Sequence, residues 1–193
     1  MMGLHILWTI VTYHRPGEPL TIQRQDLIPP VEGGSGEWSV LLFPGTRAAT
    51  RKNQSQDEGL SLTNKIYPWL PKVIAALARG APQSRLFPHS YHALVTEFNR
   101  TRDRLRLGKL VLYQCRHSGA SLDLQGRHRD HLELKKRGGW QCESSLRRYE
   151  NAARLNMSAA RLQPWQAAEF KKADDQLEAF FFGRVAGAPL QVI

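Results

Sequence analysis

Residues 116–150 read RHSGASLDLQGRHRDHLELKKRGGWQCESSLRRYE, and this basic stretch decides how the second half of the chain folds. Gly126 and the pair Gly138-Gly139 divide it, which predicts two or three short helices instead of one long helix. The Gly-Gly step leads into Trp140, and Tyr149 follows nine residues later. A single tyrosine among arginines is ordinary. Its meaning depends on which other residues of the chain could hold a phosphate beside it.

The positive charge of the chain is concentrated around this stretch. The 193 residues carry a formal net charge of +10, and residues 100–154 hold 14 Lys and Arg against six Asp and Glu. Such clustering favours a polyanionic partner, because phosphates neutralised by Lys and Arg release their counterions. A solvated basic face is the alternative interpretation.

Hydrophobic periodicity predicts a mostly helical chain with a small antiparallel sheet, which is an α+β fold. The apolar start of the chain indicates a buried helix that ends before Pro16-Gly17. Residues 37–43 and 59–63 are typical of two strands joined by a long polar connection. Three further helices are predicted: from Ile66 to Leu77, from the N-cap Ser90 to before Gly108, and from about Trp165 to Phe182.

A tyrosine that attacks a phosphodiester sets specific demands on its surroundings. The charge on the phosphorus oxygens has to be neutralised, and the departing oxygen needs a proton donor. Arginine suits the first role because its planar fork binds two phosphate oxygens. Lysine suits the second, since neighbouring cations lower its pKa. Two arginines and one lysine, each at the edge of a structural element, would meet these demands.

Ordered motifs in the chain resemble those of the tyrosine recombinases, the family of phage integrases and their relatives. Residues 12–27, TYHRPGEPLTIQRQDL, resemble the T-G-x-R-x-x-E box, with Arg15 as the first arginine and Glu18 as its supporting acid. Residues 113–121, YQCRHSGAS, resemble the H-x-x-R-H-[ST] box, with Arg116 as the second arginine.

The remaining two motifs follow the same order. Residues 137–150, RGGWQCESSLRRYE, are similar to the family's tyrosine box in its Gly-Gly-Trp form, with Trp140 nine residues before Tyr149. Between the two predicted strands, TRKNQ stands where the family has its β-hairpin lysine, with Lys52 the better match and Arg51 beside it. The likeness covers residues 12–154 and extends to recombinase-like reading frames of eukaryotic mobile elements.

The resemblance implies the DNA breaking-rejoining catalytic fold and DNA strand exchange or integration through a 3′-phosphotyrosine intermediate. It implies double-stranded DNA as partner, protomers assembled as a homo-oligomer on that DNA, and neither a metal nor another cofactor. By this resemblance Tyr149 is the nucleophile, and Lys52 protonates the leaving oxygen. The implied catalytic residues are Arg15, Lys52, Tyr113, Arg116, Trp140 and Tyr149, with Glu18, His117 and Ser118 in support.

Departures from the family pattern leave two other functions open. Tyr113 stands where the family usually has histidine, and a phenol cannot act as a neutral base near pH 7. Met1 lies only fourteen residues before Arg15, so we expect a catalytic domain alone, a gene fragment or a decayed mobile element. A catalytically inactive DNA-binding remnant and a topoisomerase-like relaxing activity are the alternatives. Taken singly, each site residue also fits an ordinary structural role.

Residues 1–160 are expected to form the catalytic unit, and residues 161–193 a helix and tail. The phenylalanines at 180–182 fit either packing on this chain's own core or contact with a neighbouring protomer. The paired histidines in HSYH and HRDH lack a third ligand at a familiar spacing, so no metal is predicted. Two cysteines without a disulfide framework and no signal peptide favour a nuclear location in a eukaryote, or otherwise a cytoplasmic one. No membrane span and no secretion are expected.

Overall fold

The computed structural model describes residues 1–34, 36–42, 58–140, 142, 146, 149 and 157–185. Short 3-10 turns at Glu18–Thr21 and Arg24–Asp26 follow the first helix. The strands are β1 Leu27–Ile28, β2 Ser39–Leu42 and β3 Glu58–Ser61. The helices are α1 Met2–Thr12, α2 Leu70–Ala78, α3 Tyr91–Arg104, α4 Gln114–Gln125, α5 His131–Gly138 and α6 Pro164–Val185.

The prediction of a mostly helical α+β chain with a small antiparallel sheet is confirmed. The sheet has three strands in the order β1-β2-β3, and both pairings are antiparallel. Val40 in the central strand faces Leu27 on one side and Leu60 on the other, and it is fully buried. The two predicted strands are present with slightly shifted bounds, whereas β1 was not predicted. At two residues, β1 is too short to show the alternation that reveals a strand.

The first helix forms as the apolar run predicts. Leu4, Leu7, Trp8 and Val11 are buried in the main core with residues of α2, the sheet and the loop around Phe87. The helix ends at Tyr13, whose φ of 56° puts it in the left-handed region. A residue in that conformation cannot continue a right-handed helix, so the chain turns into the segment that carries the first predicted arginine.

Helix α2 begins later than its periodicity suggests. The side-chain oxygen of Asn64 accepts the backbone N–H groups of Ile66 and Tyr67 at 2.8 and 2.7 Å, which holds these residues in a turn. Helix α2 then starts at Leu70, with a proline in its first two positions. The asparagine turn competes with the helix for these N–H groups, and periodicity alone does not register that competition.

The other predicted helix ends are observed. The Ser90 hydroxyl accepts the backbone N–H of Ala93 at 3.1 Å and caps α3. Gly126 ends α4, and Gly139, in the left-handed conformation at φ 60°, ends α5. The basic stretch is therefore divided where its glycines predict.

Helices α1 and α4 approach each other so closely that their backbones touch. A Cβ atom built on Gly119 would lie 1.8 Å from the carbonyl oxygen of Ile10. Only glycine fits at this contact. The contact brings the C-terminal end of α1 alongside α4, which carries the second predicted arginine.

Helix α6 packs on the core of its own chain. Phe181 is buried there, and its ring stacks on that of Trp69 at 5.9 Å between centroids. Phe180 is 46% exposed, and its contact with a neighbouring protomer remains a prediction. Within the described residues, no helix combines the length and the apolar character needed to cross a membrane.

Candidate active site

Arg15 lies in the turn that follows α1, and Glu18 fixes that turn. The backbone N–H of Arg15 donates to Glu18 Oε2 at 2.7 Å, and the Glu18 N–H donates back to the Arg15 carbonyl at 2.9 Å. The guanidinium also approaches Glu18 Oε1, at 3.5 Å. The Arg15 side chain is 48% exposed, so it can meet an anion from solvent while the carboxylate anchors its backbone.

Arg116 projects from the first turn of α4 into the protein and is only 4% exposed. Its Nη1 donates to the carbonyl of Tyr13 and its Nη2 to the carbonyl of Gly138. These two carbonyls belong to the ends of α1 and α5. The buried guanidinium therefore ties three helices together at one point. Its Nε is buried and has no hydrogen-bond partner among the described residues.

The electrostatics of Arg116 reveal which groups surround it. Burial is the largest effect on its pKa and lowers it, since the charged form is desolvated. Tyr113, Glu18 and Tyr149 act in the opposite direction, and the neighbouring Arg15 guanidinium lowers the pKa further. Groups from three distant segments of the sequence are thus close enough to influence one charge.

Tyr149 is buried against the first turn of α4 and is only 2% exposed. Its hydroxyl is within hydrogen-bond distance of His117 Nδ1. The two rings stack with centroids 5.4 Å apart and planes inclined by 28°. The indole of Trp140 lies on another side of Tyr149, at 5.1 Å between centroids. An incoming phosphate cannot reach the hydroxyl unless these side chains move.

The Gly-Gly-Trp step is explained by the position of its indole. A Cβ atom at Gly138 would lie 2.2 Å from Trp140 Cζ3, so the ring occupies the space of the missing side chain. The indole also lies against the Arg116 guanidinium at 4.8 Å and stacks on Tyr13 at 6.0 Å. Trp140 thus contacts both the buried arginine and the candidate nucleophile, and cation–π and stacking contacts hold its ring in place.

Tyr113 and Ser118 complete the part of the site on α4. Tyr113 precedes the helix, is 43% exposed, and meets the His117 ring edge-on at 5.0 Å. Ser118 follows His117 in α4 and is partly buried. Among the predicted groups that the structure describes, Arg15 and Tyr113 are exposed, and Arg15 is the cationic one of the two.

The structure brings the predicted residues of three motifs into one location. This set comprises Arg15, Glu18, Tyr113, Arg116, His117, Trp140 and Tyr149, and Ser118 directly follows His117 in α4. The predicted lysine, Lys52, and its neighbour Arg51 lie outside the described residues. Within the described residues, no group of three or more His, Cys, Asp or Glu side chains could hold a metal ion.

A buried polar network behind the site was missed by the sequence analysis. The Tyr13 hydroxyl donates to Asp123, which also accepts from Arg129 Nε at 3.0 Å. Burial raises the pKa of Tyr13, and the hydrogen bond and charge of Asp123 raise it further. Helical spacing could have revealed part of this network. Asp123 lies seven residues after Arg116, which puts both on the same face of α4.

Arg137 joins the same region to the sheet. Its Nε donates to the Val11 carbonyl at 3.0 Å and its Nη1 to the Ser61 carbonyl at 2.8 Å. Burial, followed by the charge of Arg129, lowers the pKa of Arg137 to about 10. Residue type alone gave no signal for this role, because the acceptors are backbone carbonyls.

Comparison with known proteins identifies no relative of this chain. No protein-family model matches it, no curated protein matches it, and no solved structure matches it. Its function has to be inferred from its own residues and their geometry.

Proposed function

We propose that this chain breaks and rejoins DNA strands in the manner of a tyrosine recombinase, with Tyr149 as nucleophile. The observation that carries the proposal is that Arg116 donates to the carbonyl of Tyr13, two residues before Arg15, and also contacts the Trp140 indole, which packs against Tyr149. If the three motifs were coincidental matches, their residues would have no reason to lie together.

In the proposed reaction, the Tyr149 oxygen attacks a backbone phosphate and forms a 3′-phosphotyrosine, releasing a 5′ hydroxyl. Arg15, the more exposed arginine, neutralises a non-bridging phosphate oxygen. Arg116 contributes a charge that burial keeps poorly hydrated and therefore strong in its effect on the phosphate. Lys52 is proposed to protonate the leaving oxygen. The covalent intermediate conserves the energy of the broken bond, so the reaction needs no nucleotide hydrolysis.

The described arrangement is a closed form of this proposed site. Tyr149 and Arg116 are both nearly inaccessible, and Trp140 contacts both of them. Binding of DNA has to displace the indole or the segment that carries Tyr149 before attack. The excess of Lys and Arg in residues 100–154 supplies the charge that attracts the duplex.

A catalytically inactive DNA-binding protein is the second candidate, and one observation favours it. Both terminal nitrogens of Arg116 are engaged by backbone carbonyls, which gives this arginine a structural role that needs no phosphate. Under this alternative the basic surface still binds DNA, whereas the tyrosine only fills the core.

Trapping of the covalent intermediate tests the proposal. A nicked suicide duplex, from which the released fragment diffuses away, should yield a protein–DNA adduct on a denaturing gel. Tyr149→Phe should abolish the adduct, whereas Tyr67→Phe, a matched change in the main core, should retain it. If the wild type forms no adduct on any nicked or random duplex and yet binds DNA in a salt-sensitive way, the inactive alternative is correct.

Arg15→Ala tests the phosphate contact without disturbing the core, because this side chain is half exposed. Its adduct rate should fall by about 10²–10³, the usual cost of one lost transition-state donor. Arg79→Ala, at an exposed arginine that follows α2, is the matched control and should keep the wild-type rate. Equal rates for the two variants would exclude Arg15 from the reaction.

A further inference from the structure

The hydrogen bond between Tyr149 and His117 has a consequence for the chemistry. We infer that His117 is the general base that takes the proton from the Tyr149 hydroxyl. This inference rests on the proposed function and deepens it, since it assigns the proton acceptor of the same site. It is carried by the contact of the Tyr149 hydroxyl with His117 Nδ1 and by the stacking of the two rings at 5.4 Å.

A phenol that attacks phosphorus must lose its proton, and the acceptor has to be within hydrogen-bond reach. His117 Nδ1 is within this reach of the Tyr149 hydroxyl, and an imidazole can accept a proton near neutral pH. Tyr113 cannot take this role, because a phenol is itself protonated in that range. Its ring instead meets the edge of His117 at 5.0 Å and supports the imidazole.

The proton balance of the step is complete. As the bond from the Tyr149 oxygen to phosphorus forms, the hydroxyl proton passes to His117 Nδ1. The bond from phosphorus to the 5′ oxygen breaks, and that oxygen receives a proton from a separate acid, proposed to be Lys52. In rejoining, the 5′ hydroxyl attacks and gives its proton back to that separate group, proposed to be Lys52, while the bond between phosphorus and Tyr149 breaks and His117 returns its proton to the phenolate. This role requires the resting imidazole to carry its proton on Nε2.

Charged and titratable groups reach this pair from two sides. Arg116 and Tyr113 share α4 and its N-terminal end with His117, whereas Arg15 and Glu18 come from the turn after α1. Trp140, from the segment after α5, closes the site with an uncharged ring. Among these groups of the described residues, histidine is the residue type whose ordinary pKa lies nearest to neutral pH, so we expect its protonation to slow the reaction on the acid side.

Single-turnover adduct formation on the suicide duplex tests the inference. The wild type should lose rate as pH falls below the titration of the imidazole. His117→Gln, which retains a hydrogen-bonding group but accepts no proton, should be slower by about 10²–10⁴ and lack that acid limb. Its affinity for DNA should be unchanged. Added imidazole should restore rate to His117→Ala. His92→Gln, at an exposed histidine on α3, is the control and should behave as the wild type.

The possible results distinguish a failure of this inference alone from a failure of the proposed function. If the wild type forms adduct and His117→Gln matches its rate and pH profile, His117 is not the base although the function stands. If the variants do not fold, the wild-type profile decides, since a rate that stays flat from pH 5 to 8 overturns the inference. If the wild type forms no adduct, the function and the inference fail together.

Discussion

Replacement of Gly119 by alanine should destabilise the protein, although alanine normally favours a helix. The added Cβ would lie 1.8 Å from the Ile10 carbonyl oxygen and 2.7 Å from its carbon, whereas ordinary contacts are 3.4–4 Å. The helices α1 and α4 must separate by about 1.5 Å, because the obstacle is backbone and cannot rotate away. Overpacking of this kind costs about 1–3 kcal/mol, against a helix-propensity gain of about 1 kcal/mol. We expect a net loss of stability.

Urea denaturation followed by far-ultraviolet circular dichroism measures this difference. Gly183→Ala is the matched control, because Gly183 lies in α6 and its Cβ would meet no atom within 4 Å. That variant should gain up to about 1 kcal/mol from helix propensity. The separation of α1 from α4 should also move Arg15 away from Arg116 and slow adduct formation. A Gly119→Ala protein as stable as the wild type would refute the close backbone contact.

Three further changes test a buried histidine, the buried polar network and the N-cap of α3. His5 is buried and hydrogen-bonded, and its pKa is lowered from 6.5 to about 4, mainly by burial and then by the charge of His89. Because the unfolded chain binds this proton at higher pH, the free energy of unfolding should fall by about 3 kcal/mol as pH drops from about 6.5 to about 4. His5→Gln should remove that part of the loss in pH-dependent urea titrations. Arg137→Met leaves two carbonyls without their donor and should cost about 2 kcal/mol or more by the same denaturation assay; an unchanged midpoint would contradict the network. Ser90→Ala removes the N-cap of α3 and should lower the unfolding free energy by about 1 kcal/mol, which thermal melting detects.

The sequence predicted the elements whose ends have local causes. Ser90 caps α3 through its own hydroxyl, and Gly139 ends α5 through its own conformation, so both boundaries follow from residue type. The start of α2 did not follow, because the Asn64 side chain competes for two N–H groups that periodicity assigns to the helix. Local chemistry was predictable where one residue acts alone, and less so where two alternatives compete.

The residues of the candidate site were easier to predict from the sequence than the burial of their side chains. Ordered motifs predicted Arg15, Arg116 and Tyr149 as residues of one site, and in the structure Arg116 donates to the carbonyl of Tyr13 and contacts Trp140, which packs against Tyr149. They did not indicate that the second arginine and the tyrosine are buried. The partners of Arg116 are carbonyls of Tyr13 and Gly138, and every residue carries a carbonyl, so no residue type marks them.

Arg116 makes two hydrogen bonds to the ends of α1 and α5, so phosphate binding at the proposed site would compete with the contacts that hold these helices together. A phosphate that captures this guanidinium leaves the carbonyls of Tyr13 and Gly138 in need of water, so occupation of the site hydrates the junction of the helices. Under the proposed function, part of the binding free energy of DNA would be consumed in opening this junction. A substrate phosphate that captures Arg116 would then open the junction beside the tyrosine.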